Sequence, residues 1–520
     1  MIPIDLPYLI RRAGRCYPDA PAVDDGAKAR SLGELVARAE RFANAFDALG
    51  VEPGAPVGVL SGNRAEYVEV DLGIAVGRRT RVALNARLQE ADFRYALADS
   101  GARVLVHSTE FAELAATFRE ELGIVTISLD AGDDSGSLAY ERLVDEAPQA
   151  RVERPGDVED AAWITYTSGT TGRPKGIVLS HRAIREVTNN LLLELGPVRP
   201  GERLVLTQPL SHGAGYFVLP WLLVGGGLYV QRAFDPDEVQ RISHLPDIRT
   251  LKVVPAMLPP LLETKGDFAY DSIVYGASSI SLPVLEASLD RFGPILEQIY
   301  GQSEAPVTIT CLHREDHTGT GDQRMSAGRA WRTVAVEIRD EDGAVLPPGE
   351  TGEVTVCAPQ LMTGYLGRPE ATDEAIRDGW LRTQDVGTID ERGFVYLLGR
   401  KDEMINSGGF NIAPREVELA LLECPGLAEC VVIGMPDDRW GAAVTAVVRP
   451  RPGATITAEE VIAFARPRLG FRTPKRIEIV SSIPRNTYGK VDRSSVFALL
   501  ASSDGMGVGA AASKPARPTA

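Results

Sequence analysis

The sequence predicts an α/β protein with a large N-terminal domain of layered α/β sheets, a small β-barrel at the end of that domain, and a smaller α/β C-terminal domain. Three observations carry this. Short apolar runs alternate with longer helix-like segments as far as Phe292. From Val334 onward, apolar residues recur at every second position between glycine-bearing turns. At Gly399-Arg-Lys-Asp402 charges and a glycine break the apolar pattern, and beyond them an α/β pattern begins again.

In chain order, Val104-Leu-Val, Ala161-Ala-Trp-Ile and Leu251-Lys-Val-Val read as buried strands, and Val284 to Phe292 as a helix. Phe217 to Val230 is the most apolar stretch. Pro220 and three consecutive glycines from Gly225 break it, so it reads as a buried helix followed by a strand and is too short to span a bilayer. Val334, Val336 and Ile338, then Val345-Leu346, then Val354 and Val356 are expected as strands joined by tight turns. A further hairpin covers Thr388 to Tyr396. Pro414 suits the first turn of a helix that turns Val417, Ala420 and Leu421 inward and ends at Pro425-Gly426. The strand Cys430-Val-Val-Ile follows. These signals divide the chain into 1–399, 400–500 and a tail at 501–520, whose Gly, Ala, Ser and Pro with no apolar period predict disorder.

The 520 residues are too many for one typical core. An apolar share of 44% with 24% charged residues is that of a soluble globular protein. Net charge of −16 opposes nonspecific attraction to nucleic acid or anionic lipid, so a phosphate-rich ligand needs a local site. Cys16, Cys311, Cys357, Cys424 and Cys430 are scattered, with no CxxC pair, which fits a reducing cytoplasm. The first residues lack the basic and apolar regions of a signal peptide.

The strongest chemical signal is Tyr166-Thr-Ser-Gly-Thr-Thr-Gly-Arg-Pro-Lys-Gly176, directly after a strand. Glycines and small hydroxyl residues let main-chain N–H groups and side-chain hydroxyls surround phosphate oxygens, and Lys175 adds positive charge. The loop differs from the Walker type, since Pro174 takes the second glycine position and Gly176 replaces the magnesium-binding Ser or Thr.

With six further motifs in order, the chain resembles the adenylate-forming superfamily of acyl- and aryl-CoA synthetases, nonribosomal peptide adenylation domains and beetle luciferases. The motifs are Pro209-Leu-Ser-His212, Tyr275-Gly-Ala-Ser278, Tyr300-Gly-Gln-Ser-Glu304, Trp380 to Asp385 with Gly399 to Asp402, Ser407 to Glu418, and Pro484 to Lys490. The resemblance runs from about residue 10 to about residue 500 and is closest to acyl-CoA synthetases. It implies an acid–thiol ligase that forms an acyl-adenylate from ATP and passes the acyl group to coenzyme A.

The resemblance also implies roles. Thr167, Ser168, Gly169, Thr170, Thr171, Gly172 and Lys175 would hold phosphates, and Gly276, Ala277, Ser278, Tyr300, Gly301, Gln302 and Ser303 would surround adenine. Glu304 would bind Mg2+, and Asp385 with Arg400 would take the ribose. Lys490 would stabilise the charge that builds up when a carboxylate attacks the α-phosphorus. With 47 arginines and only eight lysines making the 55 basic residues, the occurrence of lysine at both family positions is telling. The C-terminal domain would be mobile, rotating about Asp402 so that Gly408-Gly409 lines a pantetheine tunnel, where a backbone without Cβ can lie against a narrow thiol chain.

His212, Gly213, Tyr216 and Gly301 are the expected acyl-pocket residues, with His212 also a catalytic candidate or, alternatively, a hydrogen-bonded core histidine. Gly301 stands where acetyl-CoA synthetases carry a tryptophan, which implies an acid larger than propionate. The absence of an aspartate in Ser211 to Tyr216 argues against an α-amino acid. His313 and His317 lie in a polar stretch and are assigned to solvent. Gln384 stands where the family has glycine, and it either impairs adenylation, leaving the chain to use adenylate from another enzyme, or points to solvent without effect. Carrier-protein phosphopantetheine is an alternative thiol to coenzyme A, and a silent nucleotide-binding or adenylate-binding paralogue is the non-enzymatic alternative.

Overall fold

Parallel strands with continuous apolar runs need cover on both faces, and this chain supplies it by laying two large sheets and their helices against one another. The computed structural model describes residues 4–130, 136–166, 174–318, 322–485 and 491–503. One sheet of nine strands has a parallel centre made of Gly227–Val230, Arg203–Leu206, Ile248–Val253, Ser272–Gly276 and Leu296–Tyr300. A second sheet of eight strands has Thr80–Leu84 beside Ala161–Tyr166 and, at its edge, Gly176–Ser180 paired with Gly364–Tyr365. A single buried cluster joins the two: Val57, Val104 and Ile177 from the second sheet pack with Leu204, Val274 and Ile299 from the first.

The period-two region folds as a curled antiparallel sheet of five strands, including Ala335–Arg339, Gly352–Cys357, Trp380–Ile389 and Val395–Arg400. Ile338, Val354 and Val395 form its small core. Val345 departs from the expected strand: it makes one bridge to Arg339 and is exposed, because the turn following Asp340 carries it outward.

From Ile405 onward the buried clusters contain only C-terminal residues. They fill the space between a three-stranded sheet, Leu427–Asp437, Gly441–Pro450 and Arg476–Ile479, and the helices Pro414–Leu422 and Ala458–Leu469. Val417 and Leu421 are buried as their spacing requires, whereas Ala420 is half-buried. The helix Arg493–Ser503 includes three residues that composition placed in the tail, since Val496 and Leu500 anchor it and the last turn follows from them. Residues 504–520 lie outside the described residues. Among the described residues no helix is long and apolar enough to cross a membrane.

Candidate functional site

The expected adenine residues and Glu304 follow the carboxyl ends of two parallel strands, where main-chain groups run out of sheet partners, whereas Asp385 and Arg400 come from the antiparallel sheet. Tyr275-Gly-Ala-Ser278 leaves strand Ser272–Gly276 with Ala277 at φ +71°, and Ala277 and Ser278 are exposed. Gly276 cannot carry a side chain there, because a Cβ would lie 2.3 Å from the Ile299 carbonyl oxygen.

From the neighbouring strand Leu296–Tyr300, the Tyr300 hydroxyl donates to Asp385 Oδ2 at 2.5 Å. Burial and the adjacent Asp385 push the Tyr300 hydroxyl pKa well up, so it stays a donor at neutral pH. Asp385 is in register with Arg400 on the adjacent strand, with Oδ1 3.4 Å from Nη1. The same Nη1 donates to the Thr383 carbonyl at 3.3 Å, and Nε lies 3.9 Å from Asp402 Oδ1. The residues expected at the ribose and at the hinge thus share one guanidinium.

Gln302 and Ser303 continue the turn to Glu304, and the Gln302 N–H donates to the Ala305 carbonyl. Glu304 is half-buried and accepts from the Tyr365 hydroxyl at 3.0 Å on Oε1. Lys175 Nζ lies 4.6 Å from the centroid of that same tyrosine ring. Tyr365 therefore gathers the expected phosphate lysine and the expected magnesium carboxylate around one side chain. Sequence reasoning missed it, although it stands in a Gly-Tyr pair beyond the motifs. Its position is fixed by pairing with Ile177, just after the phosphate loop.

Thr167, Ser168, Gly169, Thr170, Thr171, Gly172 and Lys490 lie outside the described residues. Their supports do not. Tyr166 pairs with Gly176 across an antiparallel hairpin, and Arg485 pairs with Val491.

Gln384 occupies the left-handed region at φ +62° in an irregular stretch of strand Trp380–Ile389, opposite Glu353 and Thr355. Its main-chain N–H and Nε2 both donate to Glu353 Oε1, at 3.2 and 3.0 Å, and Arg382 pairs with the other oxygen. The side chain is exposed and directed to Glu353, so neither of the two sequence expectations describes it fully. Left-handed backbone costs a residue with a Cβ about 1 kcal/mol. Gln384→Gly should raise stability by about that amount in a denaturant titration. Because Thr383, Tyr300 and Arg400 hold Asp385 independently, ATP–pyrophosphate exchange should change by less than about twofold. A tenfold rise in exchange would show instead that the side chain obstructs adenylation.

In the expected acyl pocket, His212 immediately precedes the 3-10 turn Gly213–Phe217 and is half-buried. A Cβ on Gly213 would meet nothing within 4 Å, whereas one on Gly215 would lie 2.4 Å from the Leu210 carbonyl. Tyr216 is buried, its ring 4.9 Å from that of Trp163. Gly301 has a structural explanation that the sequence did not reveal: a Cβ there would lie 2.4 Å from Val307 N. The close main-chain approach demands glycine, so the missing side chain is not independent support for a large pocket.

Gly408 and Gly409 form the turn between strands Ile405–Ser407 and Phe410–Ile412, at φ +61° and +84°. A two-residue hairpin turn of this hand favours glycine whatever passes beside it. His317 is a correction: it is buried, its Nε2 2.9 Å from the Tyr275 hydroxyl, and burial lowers its pKa to about 4. His313 is half-buried, 3.2 Å from Glu194, so neither faces solvent freely. Their polar sequence neighbours hid the short helix Arg314–His317, which turns His317 inward.

Comparison with known proteins bears on this arrangement directly. The sequence profile of the AMP-binding enzyme family matches residues 10–366, and that of the AMP-binding enzyme C-terminal domain matches residues 416–490. The chain belongs to the AMP-binding enzyme family. It is similar to the medium/long-chain-fatty-acid–CoA ligase FadD8 of Mycobacterium tuberculosis, at 35% identity over 96% of this chain and 91% of that protein. It is 36% identical to a feruloyl-CoA synthase of Amycolatopsis sp, over 93% of this chain and 96% of the relative. Among solved structures it resembles the amide bond synthetase McbA of Marinactinospora thermotolerans, with a TM-score of 0.87 at 29% identity, covering 95% of this chain and 99% of that one. The adenylate-forming fold is thereby shared throughout. This AMP-binding enzyme falls in the class of ATP-dependent, AMP-forming acid–CoA ligases.

Proposed function

We propose that the enzyme activates a medium to large carboxylic acid, other than an α-amino acid, as its acyl-adenylate, and then transfers the acyl group to coenzyme A. The observation that carries this reading is the gathering of Lys175 and Glu304 about Tyr365, with Glu304 four residues beyond Tyr300 of the Tyr300–Asp385–Arg400 cluster. In the first step the acid's carboxylate oxygen attacks the α-phosphorus of ATP and pyrophosphate leaves. In the second the thiol attacks the acyl carbon and AMP leaves.

Asp385 would accept the ribose hydroxyls while Arg400 pairs with it, and Lys175, the loop 167–172 and Lys490 would neutralise the phosphates. Glu304 fits a magnesium site: it offers carboxylate oxygen to a hard cation, which takes its remaining ligands from water and substrate phosphates. When bound, the ion would supply positive charge at the reacting phosphate. Residues 1–399 would form the body and 400–500 a domain turning about Asp402 between steps, bringing Gly408-Gly409 to the thiol. A cytoplasmic setting fits this substrate supply.

A screen of carboxylic acids for CoA thioesters by mass spectrometry tests the reading, with preformed adenylates and a holo-carrier protein as alternative donor and acceptor. Acids of about eight or more carbons or with a ring, the kinds of acid in the names of its relatives, should be turned over at least tenfold faster than acetate. Efficient turnover of acetate would refute the pocket assignment, and transfer only to the carrier thiol would replace coenzyme A as acceptor.

A further inference from the structure

Strand Ile248–Val253 lies inside the nine-stranded sheet, and Lys252 is in register with Leu206 on one side and Val274 on the other. Partners in register point to the same face of a sheet. Leu206 and Val274 belong to the buried cluster that includes Tyr216, Phe217, Ile299 and Ala305, whereas Leu251 and Val253 pack on the opposite face. The Lys252 side chain therefore enters the interior that carries the expected acyl-pocket turn. It is 3% exposed, with Nζ 5.6 Å from the centroid of the Phe217 ring, and Phe217 closes that turn.

The ammonium is poorly provided for. Nζ donates to the Val253 carbonyl at 2.9 Å, a contact within its own strand. A protonated lysine has three donors and a full charge, and buried charges are normally matched by an opposite one. Burial lowers its pKa to about 7, and no carboxylate among the described residues pairs with it. The sheet does not need the amine, since a methionine would fill the same volume and leave nothing unpaired. In a chain with eight lysines against 47 arginines, a lysine at this place calls for a partner brought from outside.

We propose that Lys252 recognises a second anionic group on the acid, so that the substrate is a dicarboxylate whose far carboxylate accepts hydrogen bonds from Nζ while the near one reacts. This rests on the acid-activating function proposed above. The charge of the distal group then sets specificity: a plain alkyl acid leaves the ammonium buried and unpaired, and a diacid completes an ion pair screened from water.

The test compares wild type with Lys252→Met on α,ω-dicarboxylates and monocarboxylates matched in length over about six to twelve carbons, reading calorimetric binding and thioester formation separately. Wild type should favour the diacid by about tenfold or more in both readouts, and Lys252→Met should reverse the preference. Equal use of both acids by wild type, or a preference that survives in Lys252→Met, overturns the proposal. So does an ω-hydroxy acid that matches the diacid, because a neutral oxygen would then suffice. Diacid binding that depends on Lys252 without thioester formation from any acid would sink the ligase function and leave the recognition role standing. Loss of binding and turnover throughout overturns both. If the variant does not fold, wild type alone decides: at pH 8 diacid binding should take up a proton that monoacid binding does not, and its absence counts against Lys252.

Discussion

Lys490→Ala should lower acyl-adenylate formation by about 10²-fold or more while preformed adenylate is still converted to the thioester at a near-normal rate. Adenylation brings an anionic carboxylate against a triphosphate, so the barrier is sensitive to each fixed positive charge that faces the developing pentavalent phosphorus. Removing one such donor costs about 3–4 kcal/mol in comparable sites, which sets the scale of the loss. The thioester step has no triphosphate to neutralise, and under the proposed rotation its thiol would approach from the side that the residue 490 loop would cover during adenylation. Separate assays of ATP–pyrophosphate exchange and of thioester formation from synthetic adenylate distinguish the two steps. Equal loss in both would refute rotation of residues 400–500 about Asp402.

Lys252→Met should stabilise the unliganded enzyme, and the gain should depend on pH. The folded-state pKa of about 7 lies below the ordinary 10.5, so between these values the unfolded chain holds a proton that the folded chain has released. Stability of the wild type therefore rises with pH across that window, and below pH 7 the cost of burying the charge is felt in full. The difference of 3.5 between the two values, 10.5 less 7, corresponds to an upper bound of about 5 kcal/mol. Relaxation and water entry reduce this, and about 2–4 kcal/mol is expected at pH 6, shrinking toward zero near pH 10. Denaturant midpoints of the two proteins at a series of pH values measure it. A constant difference across the series would show that Lys252 is not titrating.

The sequence reveals most where function needs a rare local composition. The run of threonines and glycines before Lys175 carries the phosphate-loop expectation, because few other demands place so many small hydroxyl residues after a strand, and residues 167–173 lie outside the described residues. Asp385 and Arg400 could be anticipated as partners because a single hairpin joins them, and the structure puts them in register. Long-range placement hid the rest. Tyr365 owes its position to a two-residue strand pairing with Ile177, which no local pattern announces. Lys252 sits in an apolar run that correctly reads as a strand, but only the neighbours Leu206 and Val274 reveal which face it occupies. For Gly301, the decisive fact is the nearby backbone of Val307, six residues on in sequence and folded back by a turn with φ +47°.

The paired bases of the two lysine-bearing loops make failure of activity easy to interpret. Tyr166 with Gly176, and Arg485 with Val491, close their hairpins by main-chain pairing at the base. The chemistry proposed for the two tips would thus hang from bases that main-chain pairing closes. Evolution can rewrite either tip, or silence it, without first solving a folding problem, and a family built this way can change its acceptor or lose its reaction while the body of the protein stays as it was.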